Sequence, residues 1–516
     1  MEFDEIPIEN EHREYKKAKN AFPKEAWETI SAFENTDGGS LFLGIVENSN
    51  HSFAAEGVNE RQKILDDFWS AINKGFLSYS SISNESIIVS ELDSGKAVIE
   101  IRVDEAPDNK KPVFLNKDIH RTFIREGAID GQAKGENLKA LIRLSQESLD
   151  IEVLKNYGID ELNMEDVNSY RKELLARETY RSYERFSIPE FLSKIGVISK
   201  DFSGTGELGL TAGGLLFFGS NNAILHHFPD FQLDYFDKTQ PNQDRWRKRI
   251  SSIEQNLNVY SFFKKVDELL QVSAPGSFKL DDKGQRIDTF GAMSVALREG
   301  LINMLMHADY FESMPLTLNN TINYYEFTNP GKMKIASSDF FTTNKSRNRN
   351  TVISKLFLQA GYGERAGHGG EKIYESALVN EFKSPEITTD ISQTSLKIWK
   401  VDLADSFSGK EVSDRERNII KVIISQPGKR LSHKDIESQT GYSRSVVNQE
   451  LSKLIDKKII ERTGKARATK YIIRQTQNQV LAQFQAMPDL MRQMFKKMWP
   501  IEGHWTDTCT LSREFP

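Results

Sequence analysis

A helix that stops on two glycines and runs straight into a buried strand is the feature that most constrains this chain. Pro23 stands where a helix should begin, Trp27, Ile30 and Phe33 recur on one face, and Asp37-Gly38-Gly39 ends the repeat. Ser40–Val46 (SLFLGIV) is then a short apolar run bounded by turn residues, the pattern of a strand buried on both faces. Two further strands are expected over Ser86–Val89 and Ala97–Val103, and another over His120–Arg125, closing at Gly127. Helix and strand alternating in this way predict an α/β unit over residues 1–145.

The remainder of the 516 residues extends this to a multidomain α/β chain, and the length alone suggests about three to four domains. Residues 146–275 read as a mostly helical connector that also opens the next unit. It is interrupted by the glycine-rich Leu208–Gly219 and a strand-like Phe231–Phe236, and Ile253–Val272 has helical spacing. Residues 276–405 form a second α/β region, 406–412 a linker, 413–475 a small helical module, and 476–516 a Gln-rich tail without an assigned role. Apolar residues make up 38% and charged residues 28%, with 31 Phe, which excludes a disordered chain. A single cysteine, Cys509, excludes a disulfide scaffold and a Cys-rich zinc site. The longest apolar runs fall far below the ~20 residues a membrane helix needs, and the acidic, polar start is unlike a secretory signal, so a cytoplasmic protein without membrane contact is expected. The net charge of −6 hides an asymmetry: residues 411–475 carry 15 Lys+Arg against 8 Asp+Glu, a local +7 on a body of −13. A basic module on an acidic body predicts one place where a polyanion docks, a solvated charged face being the plain alternative.

In the first region Glu9, Glu14 and Glu47 stand out, with Lys16 beside them. Glu14 and Lys16 are two apart, so a strand projects both to one face. A carboxylate that holds a hard cation and a lysine that steadies the attacking water suit metal-dependent phosphodiester cleavage. Glu9 joins Glu14 only through a bend near Asn10–His12; otherwise the segment is a solvated acidic–basic stretch. The segments Glu9–Lys16 (ENEHREYK), Ile30–Ile45 (ISAFENTDGGSLFLGI) and His120–Gly127 (HRTFIREG) together resemble the Schlafen AlbA_2 domain over about residues 5–145. The resemblance implies an E-x4-E-(F/Y)-K segment and a nuclease fold in which Glu9, Glu14 and Glu47 bind Mg²⁺ or Mn²⁺ and act with Lys16 on RNA, tRNA especially. The strand-end pair, commonly Asp-Asp in that family, is Val46-Glu47 here.

Residues Val295–Tyr310 form the sharpest local pattern. Glu299 and Asn303 are four apart and share one helical face, while Leu297, Leu301, Leu305 and Met304 cover another. An Asn at that place suits a phosphate-borne Mg²⁺ and a Glu suits a base toward water; a polar edge on an amphipathic helix is the alternative. Downstream, Gly361, Gly363, Gly367, Gly369 and Gly370 precede a helix over Glu371–Ala377, a setting in which backbone N–H groups cradle phosphate. With Asn329-Pro330-Gly331 and Ser346-Arg347-Asn348, these segments resemble the divergent ATP-binding domain of the GHKL type over roughly residues 200–390, an α/β sandwich. That resemblance implies ATP as a ligand, with Glu299 as base and Asn303 as Mg²⁺ ligand.

In the basic module an apolar helix over Ile419–Ile424 stops at Pro427-Gly428. Ser432 caps a second helix, Gly441 makes a turn, and Ser443–Lys457 forms a third with Arg444, Asn448, Gln449 and Ser452 outward. Ile459–Arg462 and Lys470–Ile473 flank a hairpin tip with Lys465 and Arg467. The arrangement is similar to a winged helix-turn-helix. Arg444, Asn448 and Gln449 would face DNA base edges, and Arg462, Lys465, Arg467 and Lys470 would hold phosphates. A winged helix that docks protein is the rival reading.

Two functions therefore stand as expectations. One is a divalent-metal-dependent nuclease on structured RNA, gated by ATP, acting as a homodimer or higher oligomer in antiphage defence, a role implied only by the family. The other is an ATP-binding, DNA-binding transcriptional regulator that does not cut.

Overall fold

The computed structural model describes residues 6–473 except 50–51, 147, 203, 205, 240–245, 275–277, 281–285, 342–345, 364–367, 381, 401–411, 425–429, 458 and 464–468. Gly367, Lys465, Arg467, most of the expected linker, and the tail with Cys509 lie outside the described residues.

In the amino-terminal unit, helix Lys24–Asn35 begins directly after Pro23 and buries Trp27, Ile30 and Phe33. Four strands form its sheet in the order Arg13–Lys16, Gly39–Leu43, Ala97–Val103, Ile87–Glu91, the first two parallel and the rest antiparallel. The strand expected to run unbroken over 40–46 is broken at Gly44. Its φ of 96° suits glycine, and a Cβ there would come within 3.0 Å of the Gly57 backbone. Ile45–Glu47 therefore leaves the sheet and pairs with Phe53–Ala55 instead.

One hydrophobic core runs from Leu154 to Ile398, across the boundary expected at 275/276. Its six-stranded sheet takes strands from both sides of that boundary: Lys248–Ser251, Leu233–Lys238, Leu316–Thr321, Tyr324–Pro330, Gln393–Trp399 and Glu386–Thr389, in that order. Leu233–Lys238 and Leu316–Thr321 pair in parallel, and the other neighbours are antiparallel. Helices Val259–Ser273, Thr289–His307 and Gly369–Asn380 pack together and against this sheet. Leu297, Leu301, Leu305 and Met304 are buried as their spacing predicts, each removing apolar area worth about 1.5–3 kcal/mol. The glycine-rich run read as a break contains helix Ala212–Phe218, wholly buried, started by Thr211, whose hydroxyl accepts from the Gly214 N–H.

The carboxy-terminal unit has helices Asp414–Ile424, His433–Thr440 and Arg444–Asp456 around their own core, and a three-stranded antiparallel sheet ordered Leu431–Ser432, Lys470–Ile473, Ile460–Thr463. Among the described residues no helix is long and apolar enough to cross a membrane.

Candidate functional site

Glu14 and Lys16 lie on strand Arg13–Lys16 and form an ion pair, as their spacing predicts. A turn at Glu11-His12, closed by a bridge between Asn10 and Arg13, brings Glu9 back toward Glu14. Burial raises the Glu9 pKa, and the Glu14 charge raises it further against the Tyr15 N–H, which donates to Glu9 at 2.8 Å. The donor set does not fit a metal, however. One Glu14 oxygen is held by Lys16, and the other accepts from Arg125 at 2.8 Å. Glu47, diverted by Gly44, sits on the exposed end of its short strand. Among the described residues no group of three or more His, Cys, Asp or Glu side chains is arranged to hold a metal ion. Among the described residues Glu9, Glu14 and Glu47 are thus not brought together as a metal centre, and the Glu14 carboxylate is held by a guanidinium and an ammonium instead.

Sequence reasoning missed the organiser of this site. Arg125 is almost fully buried, donates to Asp130 at 2.7 Å and to the carbonyl oxygen of Asn10 at 2.8 Å, and stacks over Phe33. It was visible only as one residue of a strand; Asp130 is five positions on, but Asn10 and Glu14 lie more than a hundred positions away.

The second unit holds a cleft, partly open to solvent, between the carboxy-terminal half of helix Thr289–His307 and the loops after strand Tyr324–Pro330. Glu299 and Asn303 line it together, the Asn303 amide donating to Glu299 at 3.4 Å. Gly369 and Gly370, which open helix Gly369–Asn380, complete that wall. A Cβ at Gly369 would collide with the Glu299 carboxylate, and one at Gly370 with the Phe340 carbonyl oxygen, so glycine here permits close approach. Gly361 and Gly363 are not among the lining residues. Gly361 instead ends helix Thr351–Ala360 in the left-handed conformation, against Arg177.

Four cations missed as a group line the same cleft: Lys332, Lys334, Arg347 and Arg349. The signal for them was the Lys-x-Lys after Gly331 and the basic run around Arg347. Burial, together with Arg349 and Arg347, holds the Lys334 pKa down at about 8. Burial is also the main reason that His307, a further lining residue, is pushed down to about 4. Apolar Met304, Phe327, Ile387 and Leu396 line the cleft beside Asn329 and Thr394. A cleft with an apolar wall, a glycine-opened helix and clustered cations suits a ligand with one aromatic and one strongly anionic end.

In the carboxy-terminal unit Arg444, Asn448, Gln449, Arg462 and Lys470 are all exposed, the first three on helix Arg444–Asp456.

Residues 9–134 match the family model described as "Schlafen, AlbA_2", so the chain carries a domain of that kind. Residues 323–398 match "Putative ATP-dependent DNA helicase recG C-terminal", and 139–234 match "Domain of unknown function (DUF8451)". No curated protein matches the chain. Among solved structures, the crystal structure of the DIP2311 protein from Corynebacterium diphtheriae is 13% identical, covering 90% of this chain and 92% of that one with a TM-score of 0.38. The solution NMR structure of the N-terminal domain of a "Putative ATP-dependent DNA Helicase RecG-related Protein" from Nitrosomonas europaea is 23% identical, covering 23% of this chain and 82% of that one with a TM-score of 0.17.

Proposed function

We propose that this protein binds a nucleoside triphosphate in the cleft of its second unit and engages nucleic acid through its amino- and carboxy-terminal units. The observation that carries the reading is the convergence of Glu299, Asn303, Gly369 and Gly370 with four cations in one cleft. The match to the RecG carboxy-terminal model, which begins after the Glu299–Asn303 helix, supports the same reading. ATP is the nucleotide implied by the GHKL resemblance. Asn303 would hold the Mg²⁺ that accompanies the phosphates, a cation that offsets their charge when bound, and Glu299 is placed to accept a proton from water. Asn303→Ala is expected to weaken Mg²⁺-dependent ATP binding by about 1.5–3 kcal/mol, roughly tenfold or more, in isothermal titration. Unchanged affinity removes Asn303 from the site.

The reading of the carboxy-terminal unit as a winged helix-turn-helix is supported by its order of helices and hairpin strands and by Arg444, Asn448 and Gln449 on an exposed helix face. DNA is the partner this face suits, and an ATP-responsive transcriptional regulator is the reading we favour. A second reading, cleavage of structured RNA such as tRNA in antiphage defence, rests on the Schlafen AlbA_2 match and on the turn that brings Glu9 beside Glu14. The occupied Glu14 carboxylate argues against it. Incubation with tRNA and Mn²⁺ decides between the two: intact RNA is expected, whereas fragments that vanish in Glu14→Ala would establish the nuclease. A homodimer remains a family-based proposal, tested by the mass in solution.

A further inference from the structure

Lys332 lines the nucleotide cleft, yet its ammonium points into the amino-terminal unit. It donates to Asp37 Oδ1 at 2.8 Å, to Glu105 Oε1 at 2.8 Å and to the Thr36 carbonyl oxygen at 3.3 Å. A lysine has three N–H donors, and these three contacts use all of them. Glu105 is in turn held by the buried Lys111. Beside this, Arg347, also a cleft residue, pairs with Asp108 at 3.5 Å. Asp37, Glu105 and Asp108 thus present three carboxylates at one edge of the amino-terminal unit, where its first helix ends and the segment after strand Ala97–Val103 begins. Although burial disfavours the charge on Lys332, Glu105 and Asp37 outweigh it and raise its pKa, so the ammonium is firmly charged and firmly engaged.

A phosphate chain in the cleft needs the same cations. With no spare donor on Lys332, each hydrogen bond it gives to a phosphate oxygen is one withdrawn from Thr36, Asp37 or Glu105. We propose that an anionic nucleotide and the amino-terminal unit compete for Lys332 and Arg347, so that filling the cleft loosens its contact with the AlbA_2 domain. This deepens the nucleotide reading above and rests on it. Linkage makes the competition reciprocal: the carboxylates hold nucleotide affinity down by the same factor by which nucleotide weakens their contact.

The test uses the full chain and ATP with Mg²⁺. Isothermal titration of wild type against the Asp37→Asn/Glu105→Gln variant is expected to show at least about fivefold tighter binding by the variant, at the lower end of typical coupling between sites. Hydrogen exchange of the wild type, which needs no variant to fold, is expected to show faster exchange at residues 36–38 and 104–108 on adding ATP. If ATP binds wild type but the variant's affinity is equal or weaker and exchange there is unchanged or slower, the competition is overturned while the nucleotide site stands. If ATP binds neither protein, the nucleotide reading fails and the competition with it.

Discussion

Arg125→Ala is expected to destabilise the amino-terminal unit by about 3–5 kcal/mol, the cost of removing one partner from a buried ion-pair network. The guanidinium reaches two carboxylates, Glu14 and Asp130, and the carbonyl oxygens of Asn10 and Arg13. Burial disfavours the cation, but its hydrogen bonds to Asp130 and Glu14 outweigh that and raise its pKa. In its absence, among the described residues, Glu14, only 6% exposed, would keep Lys16 as its cationic partner, and Asp130 would keep the hydroxyl of Thr29. Lysine does not reproduce the fork, because its ammonium lacks the planar five-donor geometry with which the guanidinium reaches two carboxylates and two backbone carbonyl oxygens at once. Urea denaturation followed by tryptophan fluorescence reads the effect, Trp27 and Trp69 both lying in or against this core. A loss under about 1 kcal/mol would mean that the network is a surface pair in energetic terms.

Glu34→Gln should change the pH dependence of the same unit. Glu34 is fully buried on helix Lys24–Asn35, where Oε1 accepts from the Ser81 N–H at 2.6 Å and the Ser81 hydroxyl at 3.0 Å, while Oε2 is buried with no hydrogen-bond partner among the described residues. Burial pushes its pKa from 4.5 up to about 7, despite the Ser81 hydrogen bonds. Unfolded, the carboxyl loses its proton near pH 4.5; folded, it keeps it until about pH 7. Between these values the native state holds the extra proton, so this residue's contribution to stability falls as pH rises across that window and is level above it. The total is about 3 kcal/mol. Glutamine keeps the accepting oxygen and does not ionise, so the variant should lose this slope and gain a similar amount of stability above pH 7. Denaturation of both proteins at pH 5 and pH 8 checks it. An identical slope in the two would show that Glu34 reaches water in the native state.

Local order was legible in the residues. The helix after Pro23, the inward Leu297, Leu301 and Leu305, the shared face of Glu299 and Asn303, and the strand that sets Glu14 beside Lys16 all follow from short-range periodicity. The break at Gly44 was harder to read, because glycine sits inside many strands. Only the close approach of Gly57, which the chain alone does not reveal, makes this one a kink.

What the sequence by itself determined is the set of elements and the chemistry each face carries, since side-chain periods of 2 and 3.6 residues are properties of the local backbone. Tertiary structure alone decided which of those faces meet. It placed Arg125 on Glu14 from 111 residues away, so a set of carboxylates suited to a cation became an ion-pair network. It drew strands from both sides of residue 275 into one sheet, and set Lys332 between a cleft and a domain 227 residues upstream. Electrostatic contacts act through space and depend on burial, neither of which is a function of separation along the chain.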